Sequence, residues 1–191
     1  MKIVSQQEIW KKRYKSLNID KRIIIGGLAL LILGFFIDIK RIGILCGLVF
    51  LNCMLLSLDR YISMPVDLEF STFSAILFST VYGLKWGLVA GAVTKLAAMF
   101  YNANIRLDHF FMIGGYCMSA VFASILTPFH IPILYVGLIC VIIVNIYIVF
   151  VSKYITALYA FEIFMYGTSN IIFNFLLFMA FAEPMLMFMR L

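Results

Sequence analysis

Polar side chains that could bind a ligand or pair with one another lie inside apolar stretches of this chain. Lys95 lies in one such stretch, and Asn170 and Asn174 lie one helical turn apart in another. A charged or amide group in an apolar interior is costly unless it is paired or hydrated. We therefore expect Lys95 to face a polar cavity or a partner acid, with Glu69 and Glu162 as the candidates. The asparagines either hydrogen-bond to other helices or line a ligand site.

No motif of catalysis or of metal binding is present in the sequence. His109 and His130 are its two histidines, and they are too far apart in sequence to form a metal signature. The chain has no nucleotide-binding loop, no His-Glu-x-x-His and no Gly-x-Ser-x-Gly. Four cysteines lie within apolar runs: Cys46, Cys53, Cys117 and Cys140. We interpret them as buried apolar residues and predict a protein that is not an enzyme and has no cofactor or metal.

The composition excludes a water-soluble globule. Of the 191 residues, 64% are hydrophobic and 13% are charged, whereas soluble domains are about 45–50% apolar and about 25% charged. A soluble fold of this size could not bury so much apolar surface. The same values exclude a disordered chain, a coiled coil and a nucleic-acid-binding domain. We predict a multi-pass protein of the cell membrane.

Seven apolar runs follow one another along the chain. A spanning helix needs about 20 residues, and none of the runs alternates as a barrel strand would. We predict an all-α polytopic helical bundle with six core transmembrane helices and an extra N-terminal hydrophobic helix. The short run Phe70–Tyr82 is expected to pack among protein neighbours. The runs are Ile23–Ile39, Ile42–Leu58, Phe70–Tyr82, Leu84–Tyr101, His109–Leu126, Ile131–Val151 and Ile155–Ala182.

The distribution of Lys and Arg suggests an orientation. Seven of the 15 cations lie in residues 1–22, which we interpret as a basic cytoplasmic segment that either lies on anionic lipid or sets the topology. Residues 23–191 form the membrane domain, with 23–41 as the extra element and 42–182 as the six-helix core. If residues 23–39 do not cross, eleven cations lie inside and three outside. If they cross, the division is ten to four. The first layout scores slightly better and puts both termini inside.

Two glycine series predict close helix packing. Gly83, Gly87 and Gly91 recur every four residues and so lie on one helix face. We expect this face to pack within the bundle, and Lys95 continues it. Gly43 and the following Gly47 form a shorter pair on the first core helix, which suits the docking of a partner helix.

Several short motifs resemble the substrate-binding S components of energy-coupling factor (ECF) vitamin transporters, and the riboflavin type most. The resemblance covers roughly residues 42–182 with the order and spacing kept. Two positions depart from the family pattern, since Leu84 stands where proline is usual and Lys95 where Asp or Asn is frequent. The motifs are Asp67-Leu-Glu-Phe-Ser71, Tyr82-Gly-Leu-Lys-Trp-Gly-Leu-Val-Ala-Gly91, His109-Phe-Phe-Met-Ile-Gly-Gly-Tyr116 and Tyr166-Gly-Thr-Ser-Asn-Ile-Ile-Phe-Asn174.

The resemblance implies a vitamin-binding pocket that opens to the outside under the first outer loop, residues 59–69. It also implies six core helices, cytoplasmic ends and a coupling membrane subunit driven by two ATPase subunits, with Gly43 and Gly47 in the docking helix. Together with the polar residues inside helices and at their outer ends, it predicts the substrate contacts Glu69, Lys95, Asn102, Asn104, Arg106, Tyr116, Asn170 and Asn174. Flat apolar walls for a small, partly aromatic ligand would come from Phe110, Phe111, Tyr116, Tyr166 and Phe173.

A second hypothesis from a different class remains open. The chain also resembles, in general architecture, the small multi-helix MreD proteins, which are non-enzymatic membrane scaffolds of the cell-elongation machinery. Polar residues that converge on an outward pocket would favour a transport subunit. A fully apolar interior would favour a scaffold.

Overall fold

A computed structural model describes residues 39–62, 67–103, 105, 107–154 and 159–191. The predicted basic segment and most of the predicted extra element, residues 1–38, lie outside this described part. Two of the predicted contact residues, Asn104 and Arg106, also lie outside it.

Six helices follow one another in the described residues, and no strand occurs there, which confirms the all-α prediction. The last helix passes through a π-helical turn and continues to Arg190, beyond the predicted end of the core at residue 182. The helices are α1 (Ile39–Ile62), α2 (Ser71–Tyr82), α3 (Leu84–Tyr101), α4 (Leu107–Leu126, followed by the 3-10 turn Thr127–Phe129), α5 (Ile133–Tyr154) and α6 (Ala160–Leu177, the π turn Phe178–Ala182 and Glu183–Arg190).

Four segments of these helices are long and apolar enough to cross a membrane: Ile39–Ser57, Asp108–Phe129, Ile133–Tyr154 and Ala160–Arg190. Their outer faces carry large exposed apolar side chains such as Phe50, Ile146 and Phe164, which are 61%, 65% and 66% exposed. A bilayer solvates such faces, whereas water does not. The chain is therefore a membrane protein.

The short helix α2 forms the centre of the bundle. It has 12 residues, or about 18 Å of helix at 1.5 Å per residue. Its residues from Ser71 to Ser79 are all buried, and α3 and α4 pack against it. Phe73 meets Phe178 of α6 edge to face, with ring centroids 5.0 Å apart. This confirms the prediction that the short apolar run packs among protein neighbours.

Glycines allow α3 to approach α2 closely. A Cβ atom at Gly87 would lie 2.5 Å from the Cβ of Ser79. At Gly91 it would lie 3.0 Å from the Cβ of Ala75 and 3.1 Å from that of Tyr116. Both glycines thus pack inside the bundle, as predicted. Gly83 has a different role, because its φ of 86° forms the turn between α2 and α3.

Candidate buried polar site

A buried ion pair joins α3 to the segment that precedes α2. Lys95 Nζ donates to Glu69 Oε2 at 2.6 Å, and the two side chains are 3% and 0% exposed. Lys95 lies four residues beyond Gly91, so the glycine-lined contact face carries it into the interior. Glu69 lies at the end of the non-helical stretch Asp67–Glu69. Of the two acids considered from the sequence, Glu69 is the partner of this lysine.

Tyr116 of α4 lies beside the ion pair. Lys95 Nζ is 5.8 Å from the centroid of its ring, within the range of a cation–π contact. The tyrosine is fully buried, and its hydroxyl has no hydrogen-bond partner among the described residues. A buried polar atom without a hydrogen-bond partner lowers the stability of the fold by roughly 1–3 kcal/mol.

A chain of hydrogen bonds ties the Asp67–Phe70 segment to α5 and α6. Asn170 Nδ2 donates to Asp67 Oδ2 at 2.9 Å, and Asn145 Nδ2 of α5 donates to Asn170 Oδ1 at 2.9 Å. The backbone N–H of Asp67 donates to Ser169 Oγ at 2.9 Å. Asn170 therefore hydrogen-bonds to another helix, which is the first of the two roles that the sequence left open for it.

At the other end of the segment, the N–H of Phe70 donates to Asn52 Oδ1 at 2.7 Å. Asn52 Nδ2 also donates to the carbonyl of Thr94 in α3 at 3.1 Å. One amide of α1 therefore holds both the start of α2 and the middle of α3. The Asp67–Phe70 segment is thus fastened at both ends by side-chain amides.

Asn174 adds a second buried acceptor that lacks a partner. Its Nδ2 donates to the carbonyl of Asn170 at 3.0 Å, but Oδ1 is buried with no hydrogen-bond partner in the described structure. Thr72 Oγ1 and Ser74 Oγ of α2 are also buried with no hydrogen-bond partner among the described residues. The interior near the Asp67–Phe70 segment therefore contains more hydrogen-bonding capacity than the described residues use.

Two further polar residues named from the sequence, Asn102 and Glu162, make their hydrogen bonds at helix ends. Asn102 closes α3 and binds α1: Nδ2 donates to the carbonyls of Ala98 and Cys53, and Oδ1 accepts from Ser57 Oγ at 2.9 Å. Its side chain is therefore engaged in joining two helices. Glu162 lies at the start of α6 and accepts from the N–H of Tyr159 at 3.2 Å.

Among the predicted aromatic walls, Phe173 lies at the segment, with its ring centroid 5.8 Å from that of Phe70. Phe110 is 51% exposed and faces away from the interior, while Phe111 and Tyr166 are half-buried. The predicted docking residues Gly43 and Gly47 are exposed on α1, and a Cβ at either would meet no atom within 4 Å.

Sequence reasoning missed Asn52 and Asn145, which complete the hydrogen-bond network. Both are polar residues within apolar runs, so the criterion that selected Lys95 would have selected them too. Asp67 was named from the sequence as part of the first outer loop and of the motif Asp67-Leu-Glu-Phe-Ser71, but not as a site residue. Among the described residues, no group of His, Cys, Asp and Glu side chains could hold a metal ion.

The chain matches no protein-family model, no curated protein and no solved structure.

Proposed function

We propose that the chain is the membrane-embedded substrate-binding subunit of an uptake transporter for a vitamin or similar small solute. The observation that carries this proposal is the surplus of polar atoms in the interior. Among the described residues, Tyr116 OH and Asn174 Oδ1 have no hydrogen-bond partner, and the same region holds the buried Lys95–Glu69 pair. A bound ligand with hydrogen-bonding groups would satisfy such atoms, and their cost in the ligand-free state is offset on binding.

The Asp67–Phe70 segment acts in this proposal as the cover of the site. Its attachments to α6 and α1 are a few hydrogen bonds to Ser169, Asn170 and Asn52. Exchange of these bonds with water has a small net cost per bond. Opening of the cover also separates the buried pair of Glu69 with Lys95, so water or the ligand must take up both charges. Phe70 of this segment and Phe173 of α6 supply aromatic surface, which suits a small, partly aromatic ligand.

Transport in this proposal depends on other subunits. The chain carries no nucleotide-binding motif, so a coupling membrane subunit and ATPase subunits would supply the energy. The exposed glycines Gly43 and Gly47 offer a flat strip on α1 for helix docking. The proposed topology has six core helices in the cell membrane, residues 1–22 in the cytoplasm and the site near the outer surface.

The decisive variant is Tyr116→Phe, which removes only the unpartnered hydroxyl. We expect its ligand-free thermal stability to match or exceed that of the wild type, because no hydrogen bond is lost. A thermal-shift screen of the purified protein against water-soluble vitamins should identify a stabilising ligand, and Tyr116→Phe should bind it about tenfold more weakly. Tyr135→Phe is the matched control, because Tyr135 is 57% exposed on α5. If no vitamin stabilises the wild type, or if both variants bind it equally, the proposal is wrong.

The alternative is a non-enzymatic membrane scaffold similar to MreD proteins. The observation in its favour is that the charged and amide groups largely satisfy one another, as in the pairs Lys95–Glu69 and Asn170–Asp67. Such pairs can fix the arrangement of helices without a ligand. An absorbance spectrum and mass analysis of the purified protein distinguish the two, since a co-purified vitamin favours transport. A ligand-free protein that is unresponsive to every vitamin favours the scaffold.

A further inference from the structure

The charged side chains of the buried polar site are engaged with partners inside the protein. Lys95 and Glu69 form an ion pair at 2.6 Å, and their side chains are 3% and 0% exposed. Asp67 is also buried, and its Oδ2 accepts from Asn170 Nδ2 at 2.9 Å. A ligand charge that drew Lys95 or Glu69 away from its partner would leave the other charge uncompensated in an apolar interior, which is strongly unfavourable. These pairs therefore favour a ligand that brings no charge of its own.

Four buried atoms that can still form hydrogen bonds belong to uncharged side chains. They have no hydrogen-bond partner among the described residues, and each of the four residues is 0% exposed. A hydroxyl can donate or accept and rotates to suit its partner, whereas an amide oxygen can only accept. The interior thus offers hydrogen bonds from groups that carry no charge. The atoms are Thr72 Oγ1, Ser74 Oγ, Tyr116 OH and Asn174 Oδ1.

Asn174 sets the strictest requirement on a ligand. Its Nδ2 donates to the carbonyl of Asn170 at 3.0 Å, four residues earlier in α6. Turning the amide over would place Oδ1 against that carbonyl oxygen, and two acceptors repel, so the hydrogen-bond network fixes the orientation of the amide. Oδ1 can be satisfied only by an N–H or O–H donor, and none of the described residues supplies one. A ligand bound at Asn174 must therefore bring a donor.

We propose that the substrate is an uncharged carboxamide, lactam or imide, a proposal that rests on the transport function and names its substrate class. Such a compound combines an N–H donor, which Asn174 Oδ1 accepts, with a carbonyl oxygen, which accepts from Tyr116 OH. While the cover is open, water takes up the charges of Lys95 and Glu69. When the cover closes, the two charges meet again at 2.6 Å, and the ligand replaces neither of them.

The charge requirement is tested on the wild-type chain with pairs of compounds that share a skeleton and differ in charge. The detergent-purified full chain is titrated with the uncharged and the anionic member of each pair, and with thiamine as a cation, while thermal unfolding is measured. The pairs are nicotinamide with nicotinate, pantothenol with pantothenate, and riboflavin with riboflavin phosphate. Any other stabilising vitamin is compared with its charged or uncharged derivative in the same way.

The donor requirement is tested with one variant and one ligand analogue. Asn174→Leu removes the amide oxygen, and the analogue carries methyl groups in place of the amide or imide N–H of the stabilising compound. Thr80→Val is the matched control. It also removes a side-chain bond to a carbonyl four residues earlier, from the Thr80 hydroxyl to Ile76 at 2.8 Å, but at the opposite end of α2 from Glu69.

We expect the uncharged member of a pair to stabilise the chain at about a hundredfold lower concentration than its anionic partner. Methylation of the N–H should weaken binding about tenfold in the wild type and in Thr80→Val, but it should have no such effect in Asn174→Leu.

Three results would overturn the proposal. If an anionic member or thiamine stabilises the chain as well as the uncharged compounds do, the transport function stands and the uncharged substrate class is wrong. If methylation weakens binding equally in the wild type and in Asn174→Leu, the contact with Asn174 is wrong. If no vitamin and none of these compounds stabilises the wild type, the substrate class falls together with the transport function.

Discussion

Lys95 and Glu69 form a buried ion pair, with 2.6 Å between Nζ and Oε2, although 26 residues separate them in sequence. The pair links the middle of α3 to the segment before α2, next to the ring of Tyr116. Removing one partner would leave the other charge buried in an apolar bundle. The pair therefore holds the cover segment, whichever of the two functional hypotheses applies.

Lys95→Ala is expected to lower the free energy of unfolding by about 3–5 kcal/mol, because the Glu69 carboxylate is left uncompensated. The double variant Lys95→Met with Glu69→Leu should recover most of that loss, since an apolar pair of similar volume replaces both charges. SDS titration in mixed micelles measures both values. Equal stability of the single variant and the wild type would contradict the structural role of the pair.

Gly87→Ala and Gly43→Leu are expected to affect different properties: the first should lower stability, and the second should weaken docking of a partner subunit. At Gly87 a Cβ meets Ser79 Cβ at 2.5 Å, so α2 and α3 must separate and thermal stability falls by about 1–3 kcal/mol. At Gly43 or Gly47 the space is open, so leucine should leave folding intact but weaken co-purification with a coupling membrane subunit. Unchanged co-purification of both leucine variants would remove the basis for docking at α1.

Asn52→Leu and Thr72→Val both change the polar interior, but only Asn52→Leu is expected to lower the stability of the fold. Asn52→Leu leaves the Phe70 N–H without its acceptor and should destabilise the fold by about 1–3 kcal/mol. Thr72→Val removes a buried hydroxyl that has no hydrogen-bond partner among the described residues, so stability should be unchanged or higher by up to about 1 kcal/mol. Unfolding curves of the two variants in the same detergent decide the matter. A large loss in Thr72→Val would indicate a hydrogen bond to ordered water at that site.

The predicted topology can be tested by cysteine labelling at the ends of the helices. Gly83, His130 and Arg190 line one cavity, so these three positions share one end of the bundle, and the basic segment predicts that this end is cytoplasmic. In a cysteine-free background, a cysteine at Lys153 should react with an impermeant maleimide from outside. Cysteines at Lys85 and Arg190 should react only after permeabilisation. The reverse pattern would invert the topology.

Within the described residues, the apolar runs of the sequence predicted where the six helices lie, although α6 continues to Arg190, beyond the predicted end at Ala182. Leu84–Tyr101 was predicted and is observed with the same bounds, because Gly83 interrupts the helix before it and polar residues follow it. The burial of the short run Phe70–Tyr82 also followed from its length, since 13 residues do not span about 30 Å of hydrocarbon. Residue type and spacing decide such features locally.

The tertiary structure decided which polar groups meet. Sequence spacing alone could not choose between Glu69 and Glu162 as the partner of Lys95, and the structure uses Glu69 in the ion pair and Glu162 at the start of α6. The choice depends on how α2 and α3 pack through Gly87 and Gly91, and this packing joins residues that are far apart in sequence. In the same packing, Tyr116 OH has no hydrogen-bond partner among the residues that the structure describes. A hydrogen bond needs its two atoms within about 3 Å, and only the packed fold determines which atoms come that close.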